Sequence, residues 1–140
     1  MPRRRRYNIF LSHAWAYSSS YVRLVRMLRK AYPYFVFRNF SVPGHKALAA
    51  RTNRGLEQEL YDQIRPAHAV IILAGMYAAY RYWIQKEIDL AEGLGKPILG
   101  VYPWGSQRVP LSVQQAADMM VGWNTGSIVT AIRQLASNIR

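Results

Sequence analysis

The residues best suited to chemistry are a tryptophan and a glutamate four positions apart, Trp83 and Glu87, in the stretch RYWIQKEIDL. Positions four apart lie on one line of an α-helix. A carboxylate beside an aromatic ring suits cleavage of an N-glycosidic bond, because a fixed negative charge stabilises an oxocarbenium-like transition state and the ring can stack on the departing base. The pair therefore predicts a site for glycosidic-bond cleavage.

The helix that carries this pair also predicts where the carboxylate lies. At 100° per residue, one line of the helix is apolar and faces the core, and Trp83 and Glu87 lie on a second line at its flank. The core-facing residues are Ile84, Ile88 and Ala91. We therefore expect Glu87 at the edge of an apolar pocket with an aromatic wall.

The same spacing also fits a purely structural role. In that interpretation Trp83 belongs to the core, and Glu87 is a solvated flank residue paired with Arg81 or Lys86. Helical spacing alone is a weak signal for catalysis, so both interpretations stay open at the level of these residues.

The elements that position these residues alternate along the chain. Strand patterns occur at 7–12, 34–37, 68–75, 97–102 and 119–123, and helix patterns at 19–31, 53–65, 80–93 and 127–138. The segments 39–53 and 103–118 are predicted to be loops. This order predicts one α/β domain over 7–140, after a basic tail at 1–6, with a flavodoxin-like five-stranded parallel sheet in the order 2-1-3-4-5 and helices on both faces.

Ligands of such sheets bind beyond the carboxyl ends of the strands, where the strand order reverses. Here that point lies between the first and third strands, so the segment after each of them is expected to line a cleft with Glu87. The predicted cleft residues are Ser12, His13, Ala14 and Tyr77.

Composition excludes several other classes of site. The chain has no cysteine, and its three histidines lie on separate segments, so we expect no metal site and a reducing, cytoplasmic environment. No apolar run approaches the ~20 residues of a membrane-spanning helix, and the phosphate-loop motif is missing. We therefore expect a soluble protein without a membrane partner.

The net charge of +12 predicts attraction to polyanions and to phosphorylated ligands. Its most concentrated part is the tail with Arg3, Arg4, Arg5 and Arg6. Because this tail is not interleaved with aromatic residues that stack on bases, we do not expect a nucleic-acid partner. Nucleic-acid binding through the tail and the first helix stays as an alternative.

Two stretches resemble TIR domains. YNIFLSHAW is similar to the YDVFISH type first strand, and YRYWIQKEIDLAEGLGKPILGVY resembles the stretch in which a tryptophan precedes a glutamate by four and a GKPI type turn leads to a strand. The resemblance covers about residues 7 to 138 and is greatest to bacterial TIR-like domains of Thoeris antiphage defence. It implies an enzyme that cleaves the nicotinamide-ribose bond of NAD+, releasing nicotinamide and forming ADP-ribose or a cyclic ADP-ribose-type signal. NAD+ would be a substrate, and no cofactor is implied.

The resemblance also assigns roles to residues. Glu87 would be the catalytic carboxylate and Trp83 its aromatic companion. The loop at 39–53 corresponds to the BB loop of the family, which gates the site and mediates TIR-to-TIR contacts. The ligand contacts implied at its start are Arg38, Asn39 and Ser41. The implied partners are NAD+, further copies of the chain, and a separate effector protein that senses the nucleotide product.

The chain departs from the family pattern at two places. Asn8 stands where the first-strand motif has an aspartate, and the loop lacks acidic residues near its start. Two alternatives to the NAD+ enzyme remain. One is a non-catalytic signalling adaptor that assembles through the loop around Pro43 and Gly44, and the other is an enzyme of the nucleoside deoxyribosyltransferase type, which combines this fold with a glutamate at a glycosidic bond.

Overall fold

The computed structural model describes residues 6–12, 19–33, 35–39, 53–73, 77–102 and 111–137. The strands within these ranges are β1 Arg6–Leu11, β2 Val36–Asn39, β3 Ala69–Leu73, β4 Ile98–Val101 and β5 Met119–Val121. The helices are α1 Ser19–Arg29, α2 Asn53–Ile64, α3 Tyr77–Gly93, α4 Leu111–Ala116 and α5 Thr125–Ser137.

The five strands form one parallel sheet in the order β2-β1-β3-β4-β5, which confirms the predicted fold class. In this sheet Leu11 of β1 lies opposite Ile71 of β3, and Val101 of β4 lies opposite Leu73. The strand order reverses between β1 and β3, because the chain moves outward to β2 and then returns past β1.

The helices form two layers that follow from this reversal. Parallel crossovers are right-handed, so a change of direction in the sheet places the connecting helix on the other face. Accordingly, α1 packs against α5, whereas α2 packs against α3, and α5 lies across β3, β4 and β5. The predicted arrangement of helices on both faces is confirmed.

The core lies between these layers and is centred on β3, whose five residues are all buried. A strand covered on both faces is expected to be apolar throughout, as the sequence AVIIL is. From α3 the core receives Ile84, Ile88 and Ala91, each at most 1% exposed. These are the three residues that helical periodicity placed on the core-facing line.

Several elements differ from prediction in their bounds or their type. β2 begins at Val36 rather than 34, because the amide of Phe35 still donates to the carbonyl of Ala31 in the turn that closes α1. Helix α3 begins at Tyr77, three residues before the predicted start. Helix α4 was predicted as a loop. It has only six residues and buries only Val113, so its sequence shows no apolar repeat from which a helix could be predicted.

In the described part of the chain, no helix combines the length and apolar character needed to cross a membrane.

Candidate active site

The backbone of Ser12 continues the ladder of the sheet beyond the end of β1. Its amide donates to the carbonyl oxygen of Ile71 at 3.1 Å. Ser12 is therefore fixed by the sheet at the carboxyl edge, at the point where the strand order reverses. This is the position at which the sequence predicted a cleft.

Helix α3 brings Glu87 to the same point. The Ser12 hydroxyl donates to Oε1 of Glu87 at 2.7 Å, across 75 positions of sequence. Both residues are 0% exposed. Among the residues that the structure describes, they are the two polar or charged ones that are buried. The sequence predicted both residues for one cleft, but it did not predict that they contact each other.

The burial of Glu87 bears on the structural interpretation of the sequence. A solvated Glu87 paired with Lys86 is excluded, because Glu87 has no exposed surface and Lys86 forms an ion pair with Glu57 of α2. Glu87 also lies deeper than predicted, since it was expected at the edge of a pocket. An acid side chain is costly to bury even when it accepts a hydrogen bond, as Glu87 does from Ser12, so its position calls for an explanation beyond packing.

Tyr77 and Trp83 lie on the same helix, ahead of Glu87. Tyr77 is the first residue of α3, and Trp83 precedes Glu87 by one turn. With a rise of 1.5 Å per residue, Tyr77 lies about 15 Å and Trp83 about 6 Å along the helix axis from Glu87. The side chains of both fall outside the described residues, so the aromatic wall of the pocket remains a prediction.

Arg38 and Asn39 are the last two residues of β2, next to β1. Arg38 is exposed, while Asn39 is half-buried and lies opposite Ile9, three residues before Ser12. Asn39 lines a depression of about 520 Å³ together with residues of α1. Because α1 and α3 cover opposite faces of the sheet, Asn39 borders the α1 side rather than the Glu87 side.

The remaining predicted contacts, His13, Ala14 and Ser41, lie outside the described residues, as does the loop segment 40–52. Their predicted roles stay predictions.

The amino edge of the sheet also carries polar side chains, but these bond to backbone. The Asn8 amide nitrogen Nδ2 donates to the carbonyl of Pro66 at 3.1 Å, and the Asn8 backbone amide donates to Nδ1 of His68 at 2.8 Å. His68 in turn donates its backbone amide to the carbonyl of Asn8 at 2.7 Å. These contacts join the start of β1 to the start of β3, and His68 lies directly before the buried strand.

Asp118 plays a similar part at the start of β5. Its Oδ2 accepts a hydrogen bond from the Ile98 amide at 2.7 Å, and its own amide donates to the Ile98 carbonyl at 2.8 Å. Asp118 therefore joins β5 to β4 at their amino ends. It also lines a cavity of about 800 Å³ with Glu92 and Lys96, at the edge of the sheet opposite Glu87.

Of these two edges, the carboxyl edge is the better candidate for catalysis. The 800 Å³ cavity lies at the amino edge, but the carboxylate of Asp118 is engaged in holding the backbone of β4. In the same ranges, no three His, Asp or Glu side chains are arranged to hold a metal ion.

Comparison with known proteins places the chain in a family. No curated protein matches the sequence. The family model described as "Thoeris protein ThsB, TIR-like domain" matches residues 10–108, which is more than two thirds of the chain and includes the end of β1 and all of β3, α3 and β4. The match contains both Ser12 and Glu87. The chain belongs to the family of TIR-like domains of the Thoeris antiphage defence protein ThsB.

Proposed function

We propose that this TIR-like domain consumes NAD+ by breaking the nicotinamide-ribose bond, with Glu87 as the catalytic carboxylate. The observation that supports this most is the hydrogen bond from Ser12 to Glu87, between two fully buried side chains at the reversal point of the sheet. Family membership adds the Thoeris context. The fold alone would not make an enzyme.

The chemistry requires a negative charge near the anomeric carbon of the ribose. As the bond between that carbon and the pyridinium nitrogen breaks, nicotinamide leaves as a neutral molecule with the bonding electron pair. The ribose becomes an oxocarbenium ion, whose charge a fixed carboxylate stabilises more than it stabilises the substrate. Water then adds to that carbon and loses a proton to give ADP-ribose, or a nucleophile within the same molecule adds to give a cyclic product.

Ser12 acts in this proposal on Glu87 rather than on the substrate. Its hydroxyl is placed by the β1–β3 ladder, so the hydrogen bond holds one carboxylate oxygen in a fixed direction. A preorganised charge costs no reorganisation when the transition state forms. We therefore assign Ser12 as a positioning residue.

Glu87 has no exposed surface, so NAD+ reaches it only after the side chains that cover it move aside. The domain is accordingly expected to be weakly active at rest and to respond to a trigger. Activity should therefore be measured under activating conditions, including high protein concentration, as well as in dilute solution.

The test is to incubate wild type and Glu87→Ala with NAD+ and to identify the products by mass spectrometry. We expect nicotinamide with ADP-ribose or a cyclic isomer from wild type, and neither from the variant. Nicotinamide release by Glu87→Ala at the wild-type rate would refute the role of Glu87. If wild type releases none under dilute, concentrated and cell-extract conditions, while a loop variant at Pro43 abolishes self-association, the adaptor function replaces this proposal.

A further inference from the structure

The charges of the chain are unevenly divided between its two parts. Residues 1–56 contain twelve Arg and Lys and no Asp or Glu, whereas residues 57–140 contain seven of each sign. The whole net charge of +12 therefore belongs to the first 56 residues. Because such a segment repels itself, its charge favours an anionic partner.

Helix α1 displays part of this charge on its solvent side. Leu24 and Leu28 face the core and are 0% exposed, and the basic residues occupy the opposite side of the helix. The exposed cations are Arg23, Arg26, Arg29 and Lys30. They cover about 10 Å of the helix axis at spacings of three and four residues.

Most of these cations are not compensated by acidic side chains in the described part of the fold. Like charges three or four positions apart destabilise a helix. In the ranges that the structure describes, which include all seven acidic residues, Arg26, Arg29 and Lys30 form no ion pair. An anionic ligand would remove this repulsion, whereas packing within the chain does not.

The fold brings further groups to the same surface. Arg6 is exposed and lies opposite Val36, at the start of β2. That start follows directly on the carboxyl end of α1. Arg6 and the carboxyl end of α1 with Arg29 therefore lie at one corner of the domain, although they are separated in sequence.

An aromatic side chain lies at that corner as well. Tyr32 is 69% exposed, and with Arg29 and Phe37 it lines a depression of about 370 Å³ between α1 and β2. Linear sequence showed no aromatic residue within the tail, but the fold places Tyr32 among the cations. We define the α1 basic surface as Arg6, Arg23, Arg26, Arg29, Lys30 and Tyr32.

We propose that the α1 basic surface binds single-stranded nucleic acid. The guanidinium groups would contact successive phosphates, for which arginine is suited by its planar, bidentate geometry. Tyr32 would stack on an unpaired base next to these contacts, a combination that is typical of single-strand binding without sequence preference.

An anionic membrane fits this surface less well. Helices that lie in a membrane insert an apolar face, but the apolar face of α1 is occupied by the core. Among the described side chains of α1 and its following turn, the exposed large apolar residues are Val22, at 50% exposure, and Tyr32. Two side chains provide little area for insertion, whereas one exposed ring is sufficient for stacking on a base.

The experiment measures binding of a fluorescently labelled 20-nucleotide single strand of mixed sequence by anisotropy. We expect the dissociation constant to rise steeply between low and high salt, as counterion release requires. Arg26→Glu with Arg29→Glu should weaken binding at least tenfold. The matched control, Arg65→Glu with Lys96→Glu, makes the same change in net charge at two positions outside the defined surface and should weaken binding much less.

Tyr32→Ala separates stacking from charge. It should weaken binding of the single strand about fivefold or more and change binding of a duplex of equal length little. Equal losses from the two double variants, affinity that does not fall with salt, or tighter binding to phosphatidylserine vesicles than to the strand would each overturn the proposal. Glu87→Gln should bind the strand as wild type does, so this result is independent of the proposed NAD+ activity.

Discussion

The two edges of the sheet use polar side chains in different ways. At the amino edge, Asn8 and Asp118 bond to backbone groups and join neighbouring strands. At the carboxyl edge, a serine hydroxyl bonds to a buried carboxylate that comes from a helix. The first kind of contact supplies hydrogen bonds that the strand ends lack and so stabilises the fold. The second kind holds a carboxylate at a buried position, where an apolar residue would give the fold greater stability. Variants at the two edges should therefore separate stability from activity.

The largest effect is expected from Glu87→Gln. The amide keeps the shape of the side chain and an oxygen for the Ser12 hydroxyl, but it removes the charge, so nicotinamide release should fall about a thousandfold. The free energy of unfolding should not decrease, because a neutral amide costs less to bury than a carboxylate. Nicotinamide chromatography and urea denaturation measure the two quantities.

A matched control for this variant lies on the same helix. Glu92 is an exposed acid of α3, and Glu92→Gln makes the same chemical change outside the buried pair. It should leave both activity and stability close to wild type. A comparable loss of activity in both variants would mean that the charge of α3, rather than the buried position of Glu87, matters.

The next effect is expected from Ser12→Ala. Loss of a hydrogen bond to a charged group is worth roughly 1.5–3 kcal/mol, which corresponds to a fall in kcat of about 10- to 150-fold. KM should change little, because Ser12 positions Glu87 rather than the substrate. Ser12→Thr keeps a hydroxyl and should restore part of kcat.

A double-mutant cycle tests whether these two residues act together. When Glu87 is already glutamine, the further change Ser12→Ala should have a smaller effect than it has in wild type. Additive effects of the two substitutions on kcat, or a rise in KM as the main effect of Ser12→Ala, would assign Ser12 to substrate binding.

At the amino edge, Asp118→Ala should lower stability without a specific loss of activity. The variant leaves the partly buried amide of Ile98 without its acceptor, which costs about 1–2 kcal/mol. Asp118→Asn retains an acceptor oxygen and should lose less. Chemical denaturation gives both values, and a loss of kcat well beyond the loss of folded protein would contradict the structural role.

The smallest effect in this comparison is expected from Asn8→Asp, which restores the residue typical of the first-strand motif. An aspartate cannot donate to the carbonyl of Pro66 and would place a negative charge beside it. We expect a loss of about 1 kcal/mol in the free energy of unfolding, measured in urea. A gain in stability would show that the side-chain contact to Pro66 is unimportant.

The sequence predicted the strand order from the alternation of strands and helices, and the core face of α3 from helical periodicity. AVIIL is apolar throughout, and Ile84, Ile88 and Ala91 recur at helical spacing. It could not predict the contact between Ser12 and Glu87, since that depends on how far α3 is displaced along the sheet. The predicted burial of Glu87 was also too small, because residues on the flank of a helix are buried or exposed according to which neighbouring elements cover them. The ion pair between Lys86 and Glu57 could not be predicted for a similar reason, because it requires the packing of α2 on α3.

Consecutive residues hold α3 from two sides. Lys86 connects it to α2 on the outer side, and Glu87 connects it to the end of β1 on the inner side. This turn is therefore the pivot about which α3 can tilt. About 15 Å of helix, starting at Tyr77, precedes it. A small tilt of α3 about this pivot would displace the Tyr77 end most and Glu87 least. A force applied at the Tyr77 end could therefore uncover the carboxylate of Glu87 without displacing it.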